Sequence, residues 1–232
     1  MVRVLIHVEG QTEETFVREV LNPFLVKKGF ACVEARLVGR ARNRGRRGGI
    51  CGWGTVRKGI LNHLKQDRNC FVTTMVDYYG LPKNGNDAWP GREGAQNLPF
   101  SERALAVERA LHEDVCREMG SSFDGRRFIP FVVMHEFEAL LFSDCAAFSQ
   151  SIGQSEICSS LQSIRNQFNT PEEINDNLET SPSHRIEELV KGYQKPLFGA
   201  IAAIAIEVDV ISRECPHFRE WISNLESLLC IN

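Results

Sequence analysis

The sequence predicts an α/β protein, a mostly parallel sheet flanked by helices with a helical C-terminal elaboration. Three observations carry this. The chain opens with an apolar run, Val2 to Val8, that stops at Glu9-Gly10 and gives way to a helical pattern. Further apolar runs at 31–38, 70–76 and 127–134 are separated by segments of helical periodicity. From about Ser155 onward the pattern is helical almost throughout.

The elements follow in order. Val4, Ile6 and Val8 alternate with Arg3 and His7, and Leu5 interrupts the polar face, which reads as a mostly buried strand. Gly10 permits a sharp turn. Thr12 is the expected N-cap, with Glu13 and Glu14 in the first turn, where the helix dipole favours negative charge. Phe16, Val20, Phe24 and Val26 mark a helix to residue 28, Pro23 predicts a kink, and Gly29 is a stop. Residues 31–38 form a second strand, and 55–65 a helix.

Cys70 to Val76 is a strand rich in β-branched residues that ends at Asp77. A Gly-, Pro- and Asn-rich loop runs to Phe100, a length that often signals function. A helix with Leu105, Val107 and Leu111 on its apolar face extends from Ser101 to Met119. The strand at 127–134 contains Pro130, which implies an edge or a bulge. A short helix starts near Glu136. Thr170-Pro171 and Ser181-Pro182 are helix-start signals. The helix from Leu197 to Ile211 is expected to bury Ile201, Ile204, Ala205 and Val208. Trp221, Leu225 and Leu228 line a last helix.

The 232 residues suffice for a substantial core, divided here into a catalytic core at 1–150 and helices at 151–232 packed on it as one unit. Net charge is −3, so no global basic signature points to nucleic acid, and local charge must carry that case. The eight cysteines include no Cys-x-x-Cys pair, which argues against a zinc ribbon or a thioredoxin-type site. The opening apolar run is too short for a secretory leader, and no segment has transmembrane length, so a cytoplasmic location without membrane contact is expected. Walker, Gly-x-Gly-x-x-Gly and Gly-x-Ser-x-Gly signatures are all missing from the sequence.

Chemistry concentrates at strand ends. Glu9, Asp77 and the Glu136/Glu138 pair each follow an apolar strand, and Glu13 sits within reach of the first. Parallel neighbours would bring these ends to one edge, where open α/β sheets bind ligands. Clustered carboxylates repel unless a cation joins them, and hard oxygen donors suit Mg²⁺ or Mn²⁺. Two such ions would support phosphodiester cleavage. Because Glu136 and Glu138 point in different directions, one of the two is expected in the site. His7 reads as a structural histidine, and His135 as a cap or a partner to a carboxylate. Arg40, Arg42, Arg44, Arg46 and Arg47 lie in a glycine-rich segment. They are either a solvated tether or, preferred here, a contact for the phosphate backbone, with Arg185 as a further candidate.

The segment Val-Glu-Gly-Gln-Thr-Glu-Glu-Thr-Phe at 8–16 resembles the opening motif of Toprim-like proteins. Together with Asp77-Tyr-Tyr-Gly-Leu-Pro, His135-Glu-Phe-Glu-Ala-Leu-Leu-Phe-Ser-Asp, Pro182-Ser-His-Arg and the closing Cys-Pro-His-Phe-x-x-Trp, it resembles the bacterial domain-of-unknown-function family numbered 4276, a Toprim-related group. The resemblance spans nearly the whole chain. It implies a Toprim-like (Rossmann-like) fold and kinship with the overcoming-lysogenization-defect nucleases. It also implies divalent metal at Glu9, Glu13 and Asp77, with Glu136 or Glu138 completing the set, and a charge-stabilising role for Lys195. Tyr79 stands where the Asp-x-Asp motif has its second acid. Relatives neighbour ABC- or AAA-type ATPases in defence-like settings, so an ATPase partner is a further expectation. The resulting expectation is a metal-dependent nuclease acting on DNA or RNA. The alternatives are a non-catalytic subunit that binds nucleic acid or an ATPase, and phosphoryl transfer on a small nucleotide.

Overall fold

The computed structural model describes residues 2–38, 50–174 and 180–230. In chain order the elements are β1 (Arg3–Val8), α1 (Gln11–Phe16), a π-turn (Val17–Leu21), α2 (Asn22–Lys28), β2 (Cys32–Leu37), α3 (Trp53–Gln66) and β3 (Cys70–Asp77). Then come α4 (Arg92–Ala95), α5 (Phe100–Met119), β4 (Phe128–Ile129), β5 (Val132–Val133), a 3₁₀ segment (Phe137–Ser143), α6 (Cys145–Ser151) and α7 (Cys158–Arg165). The chain closes with α8 (Pro182–Leu189), α9 (Lys195–Ile206), α10 (Val208–Glu214) and α11 (Pro216–Ser227).

The described strands run β2-β1-β3-β4, every pairing is parallel, and β5 continues the pairing along β3. Central β1 is covered on both faces, as a parallel sheet requires. Val4, Ile6 and Val8 enter one apolar cluster with Phe16, Leu25 and the C-terminal helices. On the other face Val72 and Val76 pack with Ile60 of α3 and Leu111 of α5. His7 is buried and shares a 3.1 Å contact with His63, the structural role expected of it.

Several local expectations are corrected. The N-cap of α1 is Gly10, and Thr12 is buried within the first turn. Pro23 lies within a continuous helical run, and the π-turn immediately before it is the irregularity its missing N–H predicts. Leu105 faces solvent. The stretch 78–99 is packed: Leu81 and Trp89 are buried, and the Trp89 indole donates to the Cys51 carbonyl at 3.0 Å. The Leu197–Ile211 helix breaks at Glu207, which has φ 69°. Ile201 and Ile204 are 36% and 50% exposed, while Gly199, Ala200, Ala202, Ala203 and Ile206 form the buried face. That face is small because α9 lies close on α1: a Cβ at Gly199 would come within 3.0 Å of Thr12.

Pro130 divides the expected 127–134 strand into β4 and β5. Where the ladder lapses, the Thr74 hydroxyl serves Phe131 twice, accepting from its N–H (2.9 Å) and donating to its carbonyl (2.8 Å). Phe131 in turn stacks on Trp221 at 4.3 Å, and the indole donates to Thr73 Oγ1 at 2.9 Å. Glu172 accepts the His217 and Phe218 amides at the start of α11, at 3.0 and 2.9 Å. The closing Cys-Pro-His-Phe-x-x-Trp motif therefore clamps the C-terminal helices to the sheet. Trp221→Ala is expected to cost about 3–5 kcal/mol in urea unfolding, the range for a buried tryptophan. A loss under about 1 kcal/mol would show that the stack is dispensable.

Candidate functional site

Parallel pairing of β1 with β3 brings their carboxyl ends together. Glu9 follows Val8 directly, Asp77 ends β3, and the pairing of Asp77 with Val133 draws in the segment after β5. His135, buried and at φ 63°, redirects the chain there, an unusual conformation for a residue with a Cβ. Glu136 and Glu138 follow it. The electrostatics place Asp77 among four other acids: loss of solvent raises its carboxyl well above the usual range, and Glu13, Glu9, Glu138 and Glu136 each push it further.

Each acid has its own setting. Burial raises Glu9, against the pull of the Asp77 and Ile50 amides, and its Oε2 is buried with no hydrogen-bond partner among the described residues. Glu13 is buried, accepts the Gly10 N–H at 2.9 Å, and is raised by desolvation to about 6. Asp77 accepts the Phe137 N–H at 3.0 Å. Glu136 accepts the Ser183 N–H at 3.1 Å, so the Pro182-Ser-His-Arg motif supports the site from α8. Burial raises Glu138 to about 7 despite Lys195, whose Nζ lies 3.7 Å from Oε1. Burial lowers the Lys195 ammonium, but Glu138, Glu136, Asp77 and Glu187 outweigh it and hold the group above its ordinary value.

The structure thus gathers Glu9, Glu13, Asp77, Glu136, Glu138 and Lys195, and both glutamates of the 136/138 pair bear on Asp77 where one was expected. Tyr193, which marked no role in the sequence, is raised by burial and by Glu138, and its hydroxyl is buried without a partner. Arg185 is engaged locally. Its Nε donates to the Thr180 carbonyl at 2.8 Å, and its guanidinium lies over Phe168. Arg40, Arg42, Arg44, Arg46 and Arg47 lie outside the described residues.

As a donor set, all-oxygen and mutually repelling with one orphaned buried oxygen, these acids fit a hard divalent cation. Among the described residues, no group of three or more His, Cys, Asp or Glu is arranged so that it could hold a metal ion.

The raised carboxyls make stability depend on pH. The native state keeps protons on Glu138 and Glu13 that an unfolded chain releases near 4.5. Their contribution is present below that value and is lost as pH rises through about 6 to about 7. His7, pushed down to about 3 by burial, acts oppositely at acid pH, so the comparison must be made between variants. The melting temperature of Glu138→Gln is expected to fall less than that of wild type between pH 5 and 7.5 in EDTA. Parallel curves would show that Glu138 titrates normally.

No curated protein matches the chain in sequence. Among solved structures, the C-terminal region of the Xanthomonas campestris pv. campestris OLD protein is similar at 17% identity and a TM-score of 0.42, with 100% of this chain and 97% of that chain covered. At that level the likeness carries no functional argument. No described helix is long and apolar enough to cross a membrane. The profile of the family described as "Domain of unknown function (DUF4276)" matches residues 8–226, from the end of β1 into α11, and the chain belongs to that family.

Proposed function

We propose that this protein hydrolyses phosphodiester bonds of DNA or RNA with Mg²⁺ or Mn²⁺, held by Glu9, Glu13 and Asp77 with Glu136 or Glu138 completing the oxygen set. The carrying observation is the crowding of four acids around Asp77 at the carboxyl edge of a parallel sheet. Such a cluster destabilises the fold when ionised, and a cation offsets it. When bound, the ion supplies Lewis-acid polarisation of a phosphoryl oxygen. Lys195, beside Glu138 at the rim, is placed to hold charge developing on the phosphate. The kinship of the family with Toprim-type nucleases, read from the sequence motifs, agrees with this chemistry. The arginines at 40–47 remain candidates for backbone contact, and an ABC- or AAA-type ATPase in a defence system is the partner we would test.

One observation favours a second reading, a Toprim-like subunit without catalysis: Tyr79 occupies the second acidic position and is exposed. The two readings separate in a cleavage assay on plasmid, single-stranded DNA and RNA with Mn²⁺. Wild type is expected to cut, and Glu9→Ala/Asp77→Ala to lose about 10²–10³-fold or more, the scale of removing electrostatic stabilisation at a reacting centre. Mn²⁺ should raise the melting temperature of wild type at pH 7.5 and leave the double variant unchanged. Folded wild type that neither cuts nor responds to Mn²⁺, alone or with the ATPase, would establish the non-catalytic reading.

A further inference from the structure

Next to the acidic cluster lies a cavity of opposite character. Its volume is about 610 Å³, and Tyr78, Tyr79, Lys83, Arg92, Arg103 and His135 supply most of its wall. Among the described residues, no carboxylate lines it. Gly80 forms the shared boundary: a Cβ there would stand 3.4 Å from Glu9 Oε2. The Tyr79 N–H donates to the His135 carbonyl at 3.3 Å, so the turn after β3 and the segment after β5 close the boundary together.

Arg92 is the telling residue. It is only 4% exposed, yet it makes no ion pair among the described residues. Its Nε donates to the Tyr78 carbonyl at 3.1 Å, and its guanidinium sits 3.8 Å over the Tyr78 ring. Its Nη1 is buried with no hydrogen-bond partner. Burial and, more weakly, the positive charge of Arg103 disfavour its protonated form, against the opposing pull of Tyr78. A buried guanidinium with no ion pair among the described residues is costly, and an anion in the cavity that Arg92 lines would offset its charge. The planar fork matches a phosphate. Tyr79, 42% exposed beside this position, offers a flat face for a base, and exposed Lys83 adds positive charge.

We propose that this cavity binds a backbone phosphate of a nucleic-acid strand on Arg92, with Lys83 beside it and the adjoining base stacked on Tyr79. The choice of a strand as ligand rests on the phosphodiesterase reading. The pocket itself rests on Arg92.

The test is fluorescence anisotropy with a short labelled single-stranded oligonucleotide lacking a terminal phosphate, in EDTA so that no metal contributes. Tyr79→Ala and Lys83→Ala, both at exposed positions, are each expected to weaken binding about tenfold, the scale of one stacked base or one phosphate contact. Lys83→Ala should also lower the salt slope by about one. Arg92→Lys, which keeps the charge and loses the fork, should weaken binding at least as much. Glu9→Ala/Asp77→Ala should bind as well as wild type or better. Equal affinities across the pocket variants, no binding by folded wild type, or a mononucleotide competing as well as the oligonucleotide would each overturn the proposal. Pocket-dependent binding without cleavage would sink the phosphodiesterase reading alone. Cleavage indifferent to the pocket variants would sink the pocket alone.

Discussion

The parallel pairing of β1 with β3 is the constraint on which the rest of this structure depends. Once Val8 is in register with Met75, Glu9 and Asp77 must leave the sheet at one edge, and the pairing of Asp77 with Val133 brings the next acidic segment to them. The register is fixed by burial on both faces, since a one-residue slip would turn Val4, Ile6 and Val8 out of their cluster. The same hydrophobic demand that fixes the sheet therefore concentrates negative charge where solvent is scarce.

Much of the surrounding architecture compensates for that charge. The Gly10, Phe137 and Ser183 amides donate to Glu13, Asp77 and Glu136, and Lys195 faces Glu138. These donors come from the loop after β1, the 3₁₀ segment after β5, α8 and α9, so the C-terminal helices are part of the site. Their attachment is correspondingly specific. The Phe131–Trp221 stack, the Trp221 bond to Thr73 and the Glu172 cap of α11 hold that half of the chain against β3. Among the described residues, the buried polar atoms left without a hydrogen-bond partner include Glu9 Oε2 and, beyond the Gly80 boundary, Arg92 Nη1.

Features whose cause is local were legible in the sequence. Gly29 ends α2 at φ 118°, Ser181 caps α8 by accepting the His184 amide, and Pro130 interrupts its strand, because a backbone conformation or a missing N–H acts on its own neighbours. Strand-end acids were legible too, since an apolar run that stops at a carboxylate marks where the sheet edge must lie. The buried face of α9 was not. Periodicity favoured Ile201 and Ile204, but close approach to Thr12 on α1 selected Gly199, Ala202 and Ala203.

By itself the sequence determined the α/β class, the family and the acids Glu9, Asp77, Glu136 and Glu138 at strand ends, because hydrophobic periodicity and residue type depend on chemistry within a few positions. Only the tertiary structure decided that both Glu136 and Glu138 bear on Asp77, that Lys195 and Ser183 complete the surroundings, and that Arg92 lies buried with no ion pair among the described residues. Those are properties of desolvation and distance between segments far apart in the chain, and neither quantity exists until the sheet has closed and the helices have packed over it.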